Sequence, residues 1–123
     1  MVDAPKGQIP GIYHRQVGDM TVSVISDGYL MGALSVLQNI EEADAQKMIV
    51  DAFGPEDGRK TAVNTFLIYS QGKLALVDTG CGTYMADTGG KLLQNLALAG
   101  VKPTDIDTIL LTHMHPDHSA GLS

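Results

Sequence analysis

One stretch of sequence decides the fold of this chain: Thr112-His113-Met114-His115-Pro116-Asp117-His118. Residues two apart in an extended backbone project to the same side, so His113 and His115 can direct both rings at one cation. Asp117 and His118 are adjacent and point in different directions, which suits them better to a second ion beside the first. The segment therefore predicts a site for two metal ions, with these four side chains as ligands.

The ligand types indicate which metal such a site takes. Imidazole and carboxylate suit zinc, with iron and manganese as alternatives, and no thiolate lies nearby to close a structural zinc site. Zinc lowers the pKa of bound water from about 15.7 to about 7, and two ions about 3.5–4 Å apart can hold an attacking and a leaving oxygen. An isolated histidine is usually a packing or surface residue, and we interpret His14, outside this segment, in that way. The segment is thus typical of a hydrolytic metal site.

Two landmarks in the sequence resemble those of a known family. The histidine-rich segment and the four residues after it resemble the HxHxDH signature of the metallo-β-lactamase superfamily. Upstream, the run Leu76-Val77-Asp78-Thr79-Gly80 resembles a second landmark of that family. Other stretches resemble the methyl parathion hydrolase-like branch, so that the likeness extends over most of the chain: Gly18-Asp19, Ser26-Asp27-Gly28, 63–68 and 90–122.

The resemblance implies a fold and a set of roles. The fold is the αββα sandwich of the α+β class, of which residues 1–123 would supply the amino-terminal half of one domain: one mixed sheet with flanking helices and no internal boundary. His113 and His115 would hold the first metal and Asp117 and His118 the second, with Asp117 also orienting the bridging hydroxide or moving a proton. The family's remaining ligands come from later in the sequence. Because affinity depends on ligand number, we expect two zinc ions in the complete protein and weak or absent binding by this chain alone.

Asp78 has two interpretations. It follows the apolar residues 74–77, so we expect it at the carboxyl end of a strand, where open α/β sheets place their ligand crevices. There it can accept the second ring N–H of a metal-bound histidine. Alternatively, Asp78-Thr79-Gly80 is an ordinary turn in which the carboxylate bonds local backbone. Spacing leaves both open, and the resemblance favours the histidine contact.

Apolar periodicity predicts the first elements. Alternation predicts a half-buried strand over 20–26 that ends in an Asp27-Gly28 turn. A helical stripe predicts a core helix from about Glu41 that ends before Gly54. Its members are Ala45, Met48, Ile49, Ala52 and Phe53.

The second half of the chain predicts alternating strands and a helix. Segments 62–69 and 73–77 flank a Gly-containing turn and indicate a hairpin. A helix over 92–100 leads to a buried strand over 106–111, which carries the metal segment at its end. Strand, helix and strand in this order predict a right-handed crossover in a mixed sheet.

Composition limits the partners. The chain has 123 residues, 44% of them hydrophobic, and a net charge of −6 with no basic run, so nucleic acid is an unsuitable partner and a small-molecule substrate is expected. The sequence has neither an apolar stretch long enough for a membrane segment nor a visible leader. We therefore expect a cytoplasmic protein, or a periplasmic or secreted one if a leader was removed. Cys81, the one cysteine, cannot form an internal disulfide and is interpreted as a packing residue.

Half of a sandwich leaves one apolar sheet face uncovered. At about 25 cal/mol per Å², a few hundred Å² of exposed apolar surface costs several kcal/mol. We therefore expect a homo-oligomer or a complementary C-terminal segment.

The functional prediction is a metal-dependent hydrolase that cleaves an ester, lactone or phosphotriester. The alternatives are a β-lactamase or a glyoxalase II-like thioesterase, and a catalytically inert scaffold or assembly fragment. Substrate identity stays open. Weak candidates for the pocket wall are the apolar residues of the loop 28–40, Tyr84 and Met85.

Overall fold

A mixed five-stranded sheet organises the chain, whose computed structural model describes residues 2–6 and 11–123. The strands follow one another across the sheet in chain order: β1 (Ile12–Val17), β2 (Met20–Gly32), β3 (Arg59–Ser70), β4 (Lys73–Val77) and β5 (Thr108–Leu110). The first four are antiparallel neighbours, and β5 pairs parallel with β4. The helices are α1 (Glu42–Asp51), α2 (Leu92–Leu98) and α3 (Pro116–Ser119), with 3-10 turns at Leu34–Val36, Pro103–Asp105 and Ala120–Leu122. The mixed sheet with flanking helices confirms the predicted fold class.

The predicted hairpin is present between β3 and β4. Ser70 pairs with Lys73, which leaves a two-residue connection. Gln71 and Gly72 both have left-handed backbone conformations, with φ of 49° and 72°. This is the conformation that a tight hairpin turn requires, because it matches the right-handed twist of the strands on either side.

The prediction that the second strand ends in a turn at Asp27-Gly28 is wrong. β2 continues to Gly32, and its register against β3 shifts between Ser26 and Gly28. Asp27 is therefore the extra residue of a β-bulge, a local irregularity that bends a strand without ending it. A glycine with positive φ serves a bulge as well as a turn, so the sequence pattern alone did not separate the two.

The predicted helix α1 exists, but the prediction that its apolar stripe is core is wrong. Ala45 is buried, whereas Met48 is 65% exposed and Phe53, just past the helix, is 99% exposed. The reason is that α1 packs mainly against the turn Leu34–Val36 and not against the sheet. Within the described ranges, no helix is long and apolar enough to cross a membrane.

The last predicted strand is shorter and more exposed than expected. β5 spans three residues, all exposed, where a buried strand over 106–111 was predicted. It lies at the edge of the sheet with β4 as its single neighbour, so nothing among the described residues shields its outer side. The parallel pairing with β4 across α2 agrees with the predicted strand, helix and strand order.

The two faces of the sheet differ in how they are covered. Helix α2 packs on one face, where the core consists of Ile12, Ile25, Leu67, Tyr69, Leu74, Leu76, Leu92, Leu96 and Val101. The side chains that alternate with these point to the other face, which we call the open face: Val22, Val24, Phe66, Ile68, Ala75 and Val77. They are cross-strand neighbours and keep contact with solvent. The uncovered apolar surface expected of half a sandwich is therefore present in the described part of the chain.

The bulge in β2 can be tested by substitution of Gly28. With φ of 108°, an added Cβ at this position overlaps the backbone carbonyl of Thr88, so Gly28→Ala should lower the free energy of unfolding by at least about 3 kcal/mol. Gly18→Ala is the matched control, since Gly18 also has positive φ but has open space around it, and the strain alone costs about 1–2 kcal/mol. Urea unfolding followed by circular dichroism measures both. Equal losses would show that residue 88 does not pack against the bulge.

Candidate metal centre

Two strand ends bring the candidate residues together. Asp78 follows β4 and the segment 112–118 follows β5, and because these strands are parallel, their carboxyl ends meet at one edge of the sheet. The amide of Asp78 donates to the carbonyl of Leu110 over 2.8 Å, which continues the pairing past the end of β4. The position agrees with the rule that ligands bind beyond the carboxyl ends of parallel strands.

The buried carboxylate of Asp78 lies against the histidine-rich segment. Its Oδ1 accepts the backbone N–H of Thr112 over 2.8 Å, and its Oδ2 lies 2.7 Å from Nδ1 of His118. The hydroxyl of Thr112 lies 3.0 and 2.9 Å from the two carboxylate oxygens. The structure thus agrees with the first interpretation of Asp78, the contact with a histidine, and not with the ordinary turn.

The surroundings of Asp78 decide its charge. Burial by itself would raise the pKa of this carboxyl, but the hydrogen bonds from His118 and Thr112 outweigh it and hold the pKa below its ordinary value. An ionised Asp78 accepts a hydrogen bond from Nδ1–H of His118, and in this tautomer of the uncharged ring Nε2, on the far side, has the lone pair. That is the tautomer that a metal ligand needs.

The four predicted ligands form two pairs. Nε2 of His113 lies 3.1 Å from Nδ1 of His115, and Nε2 of His118 lies 3.2 Å from Oδ2 of Asp117. Two ligands that are each about 2.0–2.1 Å from a tetrahedral zinc ion are about 3.3 Å from one another. The spacing within each pair is that of a hydrogen bond or ion pair, and it is also compatible with two ligands of one ion, for which the donor set fits zinc.

The pairs also lie beside each other. The ring of His113 has its centroid 4.7 Å from that of His115 and 4.0 Å from that of His118. Among the residues that the structure describes, no group of three or more His, Cys, Asp or Glu side chains is placed to hold a metal ion. The described chain thus brings two ligands to each predicted ion, and the assignment of the four residues as ligands stays a prediction.

Thr112 is a residue of the site that sequence reasoning missed. Its hydroxyl lies 3.1 Å from Nδ1 of His113, and its single proton can be donated to Asp78. His113 is thereby held through Thr112 by the same carboxylate that holds His118 directly. The position of Thr112 immediately before the first histidine could have pointed to it. The contacts of its hydroxyl, however, depend on where Asp78 lies in the fold.

The other sequence candidates lie outside this cluster. Cys81 is buried, and burial together with the Asp27 carboxylate raises the pKa of its thiol to about 11, so it is a protonated packing residue, as predicted. His14 is on β1, at the opposite edge of the sheet from β5, where Nδ1 lies 2.6 Å from the Ser23 hydroxyl and burial lowers the pKa of the ring. Tyr84 is exposed and its hydroxyl accepts a hydrogen bond from Ser123.

Comparison with known families gives the class of protein. The sequence model of the metallo-beta-lactamase superfamily matches residues 58–123, which include Asp78 and the whole histidine-rich segment. The chain belongs to the metallo-beta-lactamase superfamily.

Curated relatives match a limited part of the chain. The ribonuclease Z of Mycolicibacterium gilvum is 43% identical over 51 residues, which are 42% of this chain and 18% of the relative. The exodeoxyribonuclease WalJ of Streptococcus pneumoniae is 39% identical over 59 residues, 48% of this chain and 20% of the relative. The matched part thus spans about a fifth of the length of either relative.

Solved structures match nearly the whole chain. The hydrolase AbOPH of the beta lactamase superfamily has a TM-score of 0.84 at 32% identity, over 95% of this chain and 40% of that one. AidC, a dizinc quorum-quenching lactonase in complex with a product, has a TM-score of 0.82 at 31% identity, over 90% of this chain and 38% of that one. A probable metal-dependent hydrolase from Staphylococcus aureus, at 22% identity and a TM-score of 0.72, shows the same fold. The match covers about two fifths of each of these structures.

The lowered pKa of Asp78 predicts an acid dependence of stability. A carboxyl whose pKa is lower in the folded state stabilises the protein above its unfolded-state pKa of about 3.9, and this contribution is lost as the pH falls through the folded-state value. In chelator-treated protein, Asp78→Asn should cost about 2 kcal/mol at pH 7 and flatten the decline of stability between pH 5 and pH 3. Urea unfolding at a series of pH values measures this. Asp44→Asn, on the exposed surface of α1, is the control and should follow the parent; an unchanged slope in the Asp78 variant would contradict the assigned hydrogen bonds.

Proposed function

We propose that the complete protein to which this chain belongs is a dinuclear metal-dependent hydrolase. The observation that carries the proposal is the pair of spacings, 3.1 Å between ring nitrogens of His113 and His115 and 3.2 Å between His118 and Asp117. His113 and His115 would hold one zinc ion and Asp117 and His118 the other, with iron or manganese as alternatives. The downstream sequence would supply the remaining ligands.

The chemistry is divided between the metals and the chain. Bound zinc makes water acidic enough to act as a nucleophile near neutral pH and stabilises charge on a leaving oxygen. Asp117 would orient that nucleophile and move its proton. Asp78 and Thr112 contact Nδ1 of His118 and of His113, which leaves Nε2 of each ring available and would hold the two rings in place for metal ions. The fixed rings reduce the reorganisation that metal binding requires.

The substrate class that we propose is a small ester, lactone or phosphotriester. Support comes from the hydrolase AbOPH and the lactonase AidC, since both exceed 30% identity over at least 90% of this chain. The methyl parathion hydrolase-like branch suggested by the sequence is compatible with these neighbours. The net charge of −6 also favours a small molecule over a polyanion.

Phosphodiester hydrolysis of nucleic acid is the second candidate. It is favoured by the 43% identity to a ribonuclease Z over 51 residues. That match covers 42% of the chain, and the sequence has no run of basic residues to bind a phosphate backbone. We therefore rank it below the small-molecule hydrolase, and RNA is included among the test substrates.

A complementary C-terminal segment is the partner that we propose for the open face. The six apolar side chains of this face would lose contact with water on packing, at about 25 cal/mol per Å². The match to two fifths of AbOPH supports a longer polypeptide as the source of the cover. A homo-oligomer formed by two open faces is the alternative for the 123-residue chain alone.

Metal content tests the proposed function. Elemental analysis should find close to two zinc ions per chain in the polypeptide extended downstream of residue 123, and far fewer in residues 1–123 alone, because only the longer form completes the ligand set. Zinc should stimulate hydrolysis of a lactone or of paraoxon by the longer form.

Substitution of a ligand separates catalysis from an inert scaffold. His115→Ala should reduce turnover of these substrates to the uncatalysed background, while His14→Ala, at the far edge of the sheet, should retain it. Turnover of RNA but not of the small substrates would support the second candidate. A His115 variant as active as the parent would refute the assigned mechanism.

The open face predicts self-association of the 123-residue chain. Phe66, 39% exposed at the centre of that face, should be buried when two chains meet, so Phe66→Lys should shift a dimer to monomer in analytical ultracentrifugation. Leu93→Lys, at a 68% exposed position on α2, is the control and should leave the association state unchanged. A chain that is monomeric without substitution would show that the open face does not drive association.

A further inference from the structure

The fully buried carboxylate of Asp27, at the bulge of β2, accepts three backbone N–H groups. Its Oδ2 accepts from Cys81 over 2.8 Å and from Gly90 over 3.0 Å, and its Oδ1 accepts from Leu92 over 3.0 Å. The backbone carbonyl of Asp27 accepts a fourth, from Lys91. A buried carboxylate is costly unless it is hydrogen-bonded, so these bonds are a strong constraint on the groups that supply them.

The donors of these bonds lie at the two ends of one loop. Cys81 follows Asp78-Thr79-Gly80, while Gly90 lies just before α2 and Leu92 is the first residue of that helix. Asp27 also contacts Gly80 closely: a side chain at Gly80 would overlap the Asp27 carboxylate. One side chain of β2 therefore fixes both ends of the loop 79–91 to the sheet.

The histidine-rich segment packs against the N-terminal end of this loop. The amide and the hydroxyl of Thr79 both donate to the carbonyl of His118, over 2.7 and 2.9 Å. The amide of Gly121 donates to the carbonyl of Gly80 over 3.2 Å. The backbones of Gly82 and Ala120 are in close contact, since a Cβ added at Gly82 would lie 2.7 Å from the carbonyl oxygen of Ala120. The position of α3 is thus set by residues 79–82.

We infer that Asp27 is a positioning residue of the metal centre. It acts through residues 79–82 on the backbone of His118, and so sets where the Asp117 and His118 pair lies relative to His113 and His115. Asp78 holds the ring of His118, whereas Asp27 holds the main chain that carries the ring. This inference rests on the proposed function, because it states that Asp27 helps to set the distance between the two proposed metal ions.

The test is zinc affinity in the longer polypeptide with Asp27→Asn. An amide at this position turns one acceptor oxygen into an N–H donor that faces backbone N–H groups, so at least one of the three bonds is lost. The affinity for one of the two zinc ions, measured by competition with a chromophoric chelator, should fall at least about tenfold, as for other groups that orient ligands. The other ion should bind as in the parent.

Thr65→Val is the matched control for a loss of stability. Thr65 is also fully buried, and its hydroxyl donates to the carbonyl of Ile25 over 3.1 Å within the sheet, without a bond to the loop 79–91. It should lower the free energy of unfolding while leaving zinc affinity within twofold of the parent. Equal weakening of zinc binding by both substitutions would overturn the inference, since the effect would then be general destabilisation.

Thr79→Val covers the case in which Asp27→Asn does not fold. It removes the hydroxyl bond to His118 at nearly constant shape, and should weaken the same zinc ion several-fold. Parent-like affinity in this variant, or in a folded Asp27 variant, would overturn the inference and leave the proposed function standing. A parent that binds no zinc would instead refute the proposed function itself.

Discussion

The hydrogen bonds between the Asp78 carboxylate and the segment after β5 are the interaction on which the site depends. Two parallel strands end side by side, and the group that follows one of them holds Thr112 and His118 from the other. The lowered pKa of Asp78 keeps the carboxylate ionised at neutral pH, so both proposed ligand pairs are attached to a single anion: His118 directly and His113 through the Thr112 hydroxyl. Because Asp78 has little contact with solvent, few other partners compete for it.

The two faces of the sheet are covered unequally in the described residues. The face under α2 is a finished core, whereas the open face and the two-ligand pairs are both incomplete in the described residues. The C-terminal segment that we propose as the partner of the open face would supply both an apolar cover and the remaining ligands. The chain spans about two fifths of the solved hydrolase and lactonase that it matches at above 30% identity.

The sequence predicted the elements better than their surroundings. The hairpin of β3 and β4 was predicted correctly because Gln71-Gly72 determines its turn locally. Helix α1 was predicted as a helix, but Phe53 is exposed, because periodicity identifies an apolar side and not what covers it. The continuation of β2 past Asp27 was missed, since a bulge is defined by its pairing with β3, and pairing is not a property of either segment alone.

The sequence by itself determined the superfamily, and it predicted the grouping of His113 with His115 and of Asp117 with His118, because backbone geometry restricts where closely spaced side chains point. Only the tertiary structure decided between the interpretations of Asp78 and showed the hydrogen bonds of Thr112 and Asp27. Asp78 is 34 residues from Thr112, and Asp27 is 54 residues from Cys81. Contacts of that separation arise from strand order and register, which the pattern of any one segment does not contain.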